Sequence, residues 1–496
     1  MKIWDPKPDT LLRTSFWKPV TTAIVIKLTT TASAILVTDM RTIGLETFLP
    51  CTSFLRTLRA MKYSNGTFSF FALRKYAKLL CLKSIFIFLL FSCSVPFKRP
   101  KNSVNETIVL EDELIESSEE LREGERYAHE LKPPVLGIER LHLFLDSLKD
   151  KRIAVVGNQT SAINKVHLVD TLLNLNLNVV KVFAPEHGFR GQADAGEKVH
   201  STVDEKTGLP LISLYGNNKK PSEEQLADVD IVIYDIQDVG VRFYTYISTL
   251  HYVMEACAEF GKQVVVLDRP NPNGHYIDGP IREAQHRSFV GMHPVPIVYG
   301  MTIGEYAMMI NGERWLKDST ICNLWVIPCK NYTHKTKYIL PVPPSPNLRS
   351  ELAIELYPSL CLFEATTVSV GRGTEKPFEV YGHPLFPPTG YAFTPVSSLG
   401  AKSPLYENKI CHGYDLARES NKRKYELNLS YLIRAKEVLG DSVAFINQNG
   451  FFDRLAGTSA LREQLLNGWS AKEIRSTWKP GLEQFKEVRK KYLLYP

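Results

Sequence analysis

Glu186, His187 and Arg190 stand together in Val179–Gly191, VVKVFAPEHGFRG, where a β-branched apolar run breaks into a polar loop. Val229–Val241, VDIVIYDIQDVGV, repeats the design with Asp235 and Asp238, and Val264–Gly274, VVVLDRPNPNG, repeats it with Asp268 and Arg269. Carboxyls beside apolar strands are pushed to different pKa values by burial and by like charges. Glycosidic cleavage needs that difference: one carboxyl gives a proton to the leaving oxygen, and a second serves as nucleophile, base or electrostatic support. Glu186, Asp235, Asp238, Asp268 and Glu364 are the candidates. His187 and Arg190 can orient Glu186 or hold an anionic group. Arg242, Arg269 and Arg372 together suit an anion pocket, though each also suits an ordinary salt bridge. Tyr215, Tyr244 and Tyr246 suit stacking on a sugar or packing in a core, and Asp238 suits a helix cap ahead of Phe243. An aspartate-rich cleft also fits a metal-dependent phosphoesterase with His187, Asp235 and Asp238 as ligands. A non-catalytic, glycan-binding envelope protein is the third reading.

These residues need a scaffold that brings strand ends to one edge. Arg152–Val156, the run before Glu186, Ile231–Tyr234 and Gln263–Leu267 read as buried strands. The stretches HLVDTLLNL and Phe243–Phe260 read as intervening helices, with a short helix at Glu224–Leu226. Leu136–Leu148 reads as an amphipathic entry helix. Alternating strands and helices favour parallel crossovers and an α/β fold, a Rossmann-like doubly wound N-terminal domain. In such sheets ligands bind beyond the carboxyl ends of the strands. No GxGxxG follows the first strand, so a dinucleotide is not expected, and no compact metal motif occurs. Neither a metal nor an organic cofactor is expected. Pro341–Ser350, PVPPSPNLRS, is a rigid joint, because proline fixes φ and removes donors. A smaller C-terminal α/β domain follows, ending in two helical pieces around Trp478 and Pro480. The divisions are 1–97 leader, 98–129 linker, 130–345 catalytic domain and 346–496 smaller domain.

The leader differs from the rest. Residues 1–100 hold fifteen Lys and Arg against four Asp and Glu, and removing that +11 from the chain total of +7 leaves −4. The basic balance belongs to the leader and gives no support to nucleic-acid binding. Arg74, Lys75 and Lys78 precede Leu79–Phe91, LLCLKSIFIFLLF, and then Ser92 and Cys93. That is the layout of an export signal. Met61 offers an alternative start, and Cys93 offers a lipid attachment point in a poor lipobox. Export to the periplasm or envelope is expected, with membrane attachment through the leader or Cys93. Cys257, Cys322, Cys329, Cys361 and Cys411 are odd in number and match no zinc spacing. Cys322 and Cys329 suit either a pair or separate burial.

The chain resembles the bacterial exo-β-N-acetylmuramidase family, long catalogued as a domain of unknown function. The resemblance is carried by GNQTS at 157–161, PEHGFRG at 185–191, SLYG at 213–216, DIQDVGVRFYTY at 235–246 and LDRPNPNG at 267–274. DGP at 278–280, SFVG at 288–291, YGMTIGE at 299–305, PSPN at 344–347, VSVGRGTEKPFEVYGHP at 368–384 and KYLLY at 491–495 continue it. It covers about residues 130–496 and leaves out the leader. It implies a two-domain protein with the active site between the domains, releasing N-acetylmuramic acid (MurNAc) from the non-reducing ends of peptidoglycan fragments. It implies that Glu186, in PEHG, is the catalytic glutamate. Motif context and chemistry add His187, Asp235, Asp238 and Glu364 to the catalytic set. They assign substrate binding to Asn158, Arg190, Arg242, Tyr244, Arg269, Asn271, Asn347 and Arg372. Two positions depart from the family's usual pattern: Ala184 replaces a serine before PEHG, and Thr367 stands where asparagine is common.

Overall fold

The near-continuous apolar runs become strands buried along their length: β1 Ile153–Gly157, β2 Val179–Ala184, β5 Ile231–Asp235 and β6 Gln263–Leu267. The computed structural model describes residues 132–186, 188–190, 202–419, 425–441, 443–448 and 450–496. The leader, the linker, Met61, Cys93 and His187 lie outside them. Short β3 (Thr202–Val203), β4 (Pro210–Ser213) and β7 (Asn323–Ile327) complete a seven-stranded sheet of order β3-β4-β2-β1-β5-β6-β7. All pairs are parallel except β3 with β4. A parallel sheet covered on both faces needs apolar side chains on both, hence continuous rather than alternating runs. The two faces divide by register. Ala154, Val156, Val232, Tyr234, Val264 and Val266 enter one core, while Ile153, Val155, Ile231, Ile233, Val265 and Leu267 enter the other.

Helix α1 (Leu168–Asn174) covers the second face. Helix α2 (Glu223–Leu226) starts at a Ser222–Gln225 capping box. Helices α3 (Tyr246–Glu259) and α4 (Ile303–Gly312) cover the first face, α4 beginning at a Thr302–Glu305 capping box. The first core continues into the C-terminal region through Leu356, Phe363, Leu432, Leu455 and Trp478, so the smaller part packs on the sheet's α3–α4 side. That part holds α5 (Glu351–Leu360), an antiparallel sheet of β8 (Val380–His383), β10 (Cys411–Asp415) and β9 (Ala392–Phe393), and helices α6 (Ser430–Leu439), α7 (Phe451–Ala456), α8 (Ala460–Leu466) and α9 (Ala471–Lys490). The architecture is the expected two-part α/β arrangement.

Three local expectations are corrected. Leu136–Leu148 is three short 3₁₀ segments rather than one helix. Ile138, Phe144 and Leu148 are buried while Leu143 stays 38% exposed, a spacing one α-helical face does not satisfy. The final helix does not break at Pro480: α9 runs through it, because Ile474, Trp478 and Phe485 anchor both halves to the core. The break falls earlier, where Gly468 takes φ +75°. Asp238 caps no helix: α3 begins after Thr245, seven residues on, and Asp238 instead accepts from Gly240 N at 2.7 Å. Cys257, Cys322, Cys329, Cys361 and Cys411 are free and buried. No described helix is long and apolar enough to cross a membrane.

Candidate active site

Glu186 leaves the sheet two residues past β2. Gly188 turns the chain there at φ +76°, its N–H donating to Pro185 O at 3.0 Å. The side chain is half-buried. Thr245 Oγ1, at the start of α3, donates to Glu186 Oε2 at 2.7 Å. That contact seats the carboxyl at the N-cap residue of a 14-residue helix. Tyr215, two residues past β4, gives its phenol to the same carboxylate. Burial first, and Glu186 second, hold that phenol protonated well above its ordinary range. A carboxylate fixed by two hydroxyls on two elements has a set orientation, which general acid–base catalysis requires.

Glu186 lines a cavity of about 500 Å³ with Tyr215, Lys219, Tyr244, Thr245, Tyr246 and Phe289 on the sheet side. Asn347, Tyr357, Glu364, Arg372 and Phe378 line it from the C-terminal side. The size suits one ring-sized ligand with its substituents. Glu364 sits on the 3₁₀ turn Cys361–Ala365 that continues α5. Arg372 Nε donates to Glu364 Oε1 at 2.5 Å. Burial alone would depress the guanidinium; the Glu364 carboxylate outweighs it and leaves Arg372 above its ordinary value. Gly371 and Gly373 flank Arg372 with φ of +76° and +80°. A Cβ on Gly373 would sit 2.5 Å from Val396 O, so the GRG loop is the tight turn that aims Arg372 at Glu364.

Of the residues singled out from sequence, Glu186, Glu364, Tyr215, Tyr244, Tyr246, Asn347 and Arg372 meet in this cavity. Asn158 stands behind it. Fully buried, it donates Nδ2 to the Tyr246 hydroxyl at 2.9 Å, so it positions a wall rather than touching the space. Tyr246 thereby serves the cavity from the core.

The others are spent elsewhere, and the expectation of an arginine-lined anion pocket is corrected. Arg269 pairs with Asp235 through Nε at 2.6 Å and Nη2 at 3.0 Å, with side-chain exposures of 4% and 0%. Arg242, fully buried, donates to Pro280 O, Val295 O, Leu455 O and Ala456 O at 2.6–3.0 Å, tying the loop after β5 to α7. Without a carboxylate beside it, burial brings its pKa down to about 9. Arg190 forks onto Asp204 at 3.0 and 2.9 Å and braces the loop after β2. Asn271 accepts from Asn273 N at 2.8 Å and donates to Met301 O at 2.7 Å. Asp238 accepts from Tyr299 as well as Gly240, and burial pushes it up to about 6. Asp268 is pushed to the same level by burial while accepting from Tyr495, Thr302 and Gly304. Among the described residues no group of three or more His, Cys, Asp and Glu is placed to hold a metal ion.

Sequence reasoning missed Thr245, Lys219 and Phe289. Thr245 lay inside a quoted motif, but a threonine between two tyrosines gives no charge signal. Lys219, four residues past Tyr215, stands in no motif and drew no reading. Tyr215 was named for stacking, whereas its hydroxyl holds Glu186.

A carboxylate fixed at the C-terminal edge of a parallel sheet, a second carboxylate across the cavity and aromatic walls between them define a glycosidase. The match to known proteins specifies which. The model of the exo-β-N-acetylmuramidase NamZ N-terminal region matches residues 153–351, and that of its C-terminal region matches residues 355–495. The chain belongs to this family. It is 40% identical over 370 residues to the peptidoglycan β-N-acetylmuramidase NamZ of Bacillus subtilis (strain 168), covering 70% of this chain and 88% of that protein. A crystal structure of a DUF1343 family protein from Bacteroides fragilis NCTC 9343 is 50% identical with a TM-score of 0.68, covering 73% of this chain and 99% of that one. A second protein of that family from the same organism is 29% identical with a TM-score of 0.62 over the same shares. The protein is an exo-acting glycoside hydrolase of peptidoglycan ends, and the phosphoesterase and non-catalytic readings fall away.

Proposed function

We propose that this chain removes a terminal β-linked MurNAc unit from peptidoglycan fragments, with Glu186 as the proton-transferring carboxyl. The observation that carries the assignment is the Glu186 carboxylate held by Thr245 and Tyr215 on the wall of a sugar-sized cavity. Glu186 protonates the glycosidic oxygen as the bond to the anomeric carbon breaks, and afterwards deprotonates the incoming water. Glu364, fixed by Arg372 on the opposite wall, is the second carboxylate, supporting the positive charge that develops on the ring. The aromatic walls hold the sugar faces, and a cavity that takes one unit admits a chain end but not a chain middle.

Incubation with a chromogenic β-MurNAc glycoside and with its N-acetylglucosamine (GlcNAc) counterpart tests the reading. Hydrolysis of the muramyl compound with free MurNAc as the early product is expected. Equal turnover of both, or none of the muramyl compound, contradicts it. The basic–apolar leader supports export to the cell envelope, with Cys93 as an anchoring point. Fractionation with intact-mass measurement tests that, and a cytoplasmic product retaining residues 61–98 contradicts it.

A further inference from the structure

The sugar assigned above carries a carboxylate on its lactyl ether that GlcNAc lacks. Something in the cavity must recognise that anion, because two carboxylates already line the walls and repel it. Among the described residues, the charged side chains lining the cavity are Glu186, Glu364, Arg372 and Lys219. Arg372 is committed to Glu364 at 2.5 Å. Arg190, Arg242 and Arg269 are bound elsewhere and do not line the space. Lys219 differs from all of these. It has no carboxylate partner among the described residues, and its ammonium lies 4.6 Å from the centre of the Phe289 ring. A ring face attracts the charge without using up its N–H donors, so the ammonium is held in place and still able to bond an oxyanion.

The platform is itself fixed. Ser248 Oγ, from α3, donates to Phe289 O at 2.7 Å, and the Tyr215 ring packs edge-on to Phe289 at 6.4 Å. Since Tyr215 also bonds Glu186, one wall carries both the proton-transferring carboxyl and the cation. We propose that Lys219, seated on Phe289, reads the lactyl carboxylate of the terminal sugar and sets the preference for muramic acid over glucosamine. The proposal rests on the muramidase reading of the same cavity.

The test uses two glycosides: chromogenic β-MurNAc and the same compound with its lactyl acid converted to the primary amide, which keeps the shape and loses the charge. The parent protein favours the acid. In Lys219→Met, kcat/KM for the acid falls about 10- to 100-fold, the size of a charge-assisted hydrogen bond, mainly through KM. The amide's value moves little, so the acid-to-amide ratio collapses, and Lys219→Arg restores most of it. A Lys219→Met protein that keeps the parent ratio overturns the proposal and points to Arg372. Equal losses on both compounds also overturn it, since they mark a packing role. If the parent cleaves neither glycoside, the muramidase reading fails by itself. Lys219 is then judged by equilibrium binding of free MurNAc against GlcNAc. A parent preference abolished in Lys219→Met supports the proposal; an absent or unaltered preference overturns it.

Discussion

Two acid–base pairs sit near the carboxyl edge of the same sheet, and they do different work. Asp235–Arg269 is closed off at 0% and 4% side-chain exposure, with both carboxylate oxygens satisfied by one guanidinium. Glu364–Arg372 has 23% exposure on each side and lines the cavity. Both consist of residue types that do catalysis. A buried pair has no surface left for a ligand and costs desolvation that only its own geometry repays. A partly exposed pair across the cavity from Glu186 keeps an open side. Carboxylates at strand ends thus fall into those that hold the loops and those that face the substrate.

Changes in the buried set should move stability, and changes in the cavity should move rate. The largest stability effect is expected for Arg269→Met. It leaves the fully buried Asp235 carboxyl without the guanidinium that satisfies both its oxygens, at a cost of about 3–5 kcal/mol. Urea denaturation checks this, and a loss below about 1 kcal/mol would erase the distinction between the two pairs.

Asp238 gives a pH-dependent version. Its folded pKa, pushed to about 6 from 3.8, lies above the unfolded one, so the native state binds more protons between these values. Its contribution to stability therefore declines as pH rises from about 4 to 6 and is flat above, for a total of about 3 kcal/mol. Asp268 adds a decline of the same sign. Asp238→Asn should remove about half of their combined slope. An unchanged slope in stability measured from pH 4 to 7 would refute this account of Asp238.

The smallest effect belongs to Thr245. Thr245→Val deletes one hydroxyl from Glu186 and keeps the shape. Its kcat should fall about five- to tenfold, the size of an ordinary single hydrogen bond, because Tyr215 still holds the carboxyl, while the urea midpoint hardly moves. A drop in stability with unchanged kcat would move Thr245 into the structural set.

How much of this was legible in the sequence follows the same division. β1, β2, β5 and β6 were readable because a doubly covered parallel strand must be apolar throughout. Glu186 was readable because a carboxylate follows such a strand directly, and Glu364 and Arg372 through the motifs that carry the resemblance. Arg242 and Arg269 read as pocket cations because sequence shows charge but not its partner. The carbonyls that bind Arg242 come from residues as distant as Leu455 and Ala456. Lys219 went unread for the converse reason: its seat is Phe289, seventy positions on, and nothing local marks a lysine as held. Pro480 misled because anchors at Ile474 and Phe485 outweigh one missing N–H.

The central claim is that Glu186 transfers the proton. Its most direct test is kcat for the chromogenic β-MurNAc glycoside in Glu186→Gln beside the parent, both shown to be folded by thermal unfolding. The substitution keeps the acceptor for Thr245 and removes the titrating group. The account predicts a fall of about 10²- to 10⁴-fold with the melting temperature essentially unchanged. A folded Glu186→Gln protein that turns over near the parent rate would contradict it.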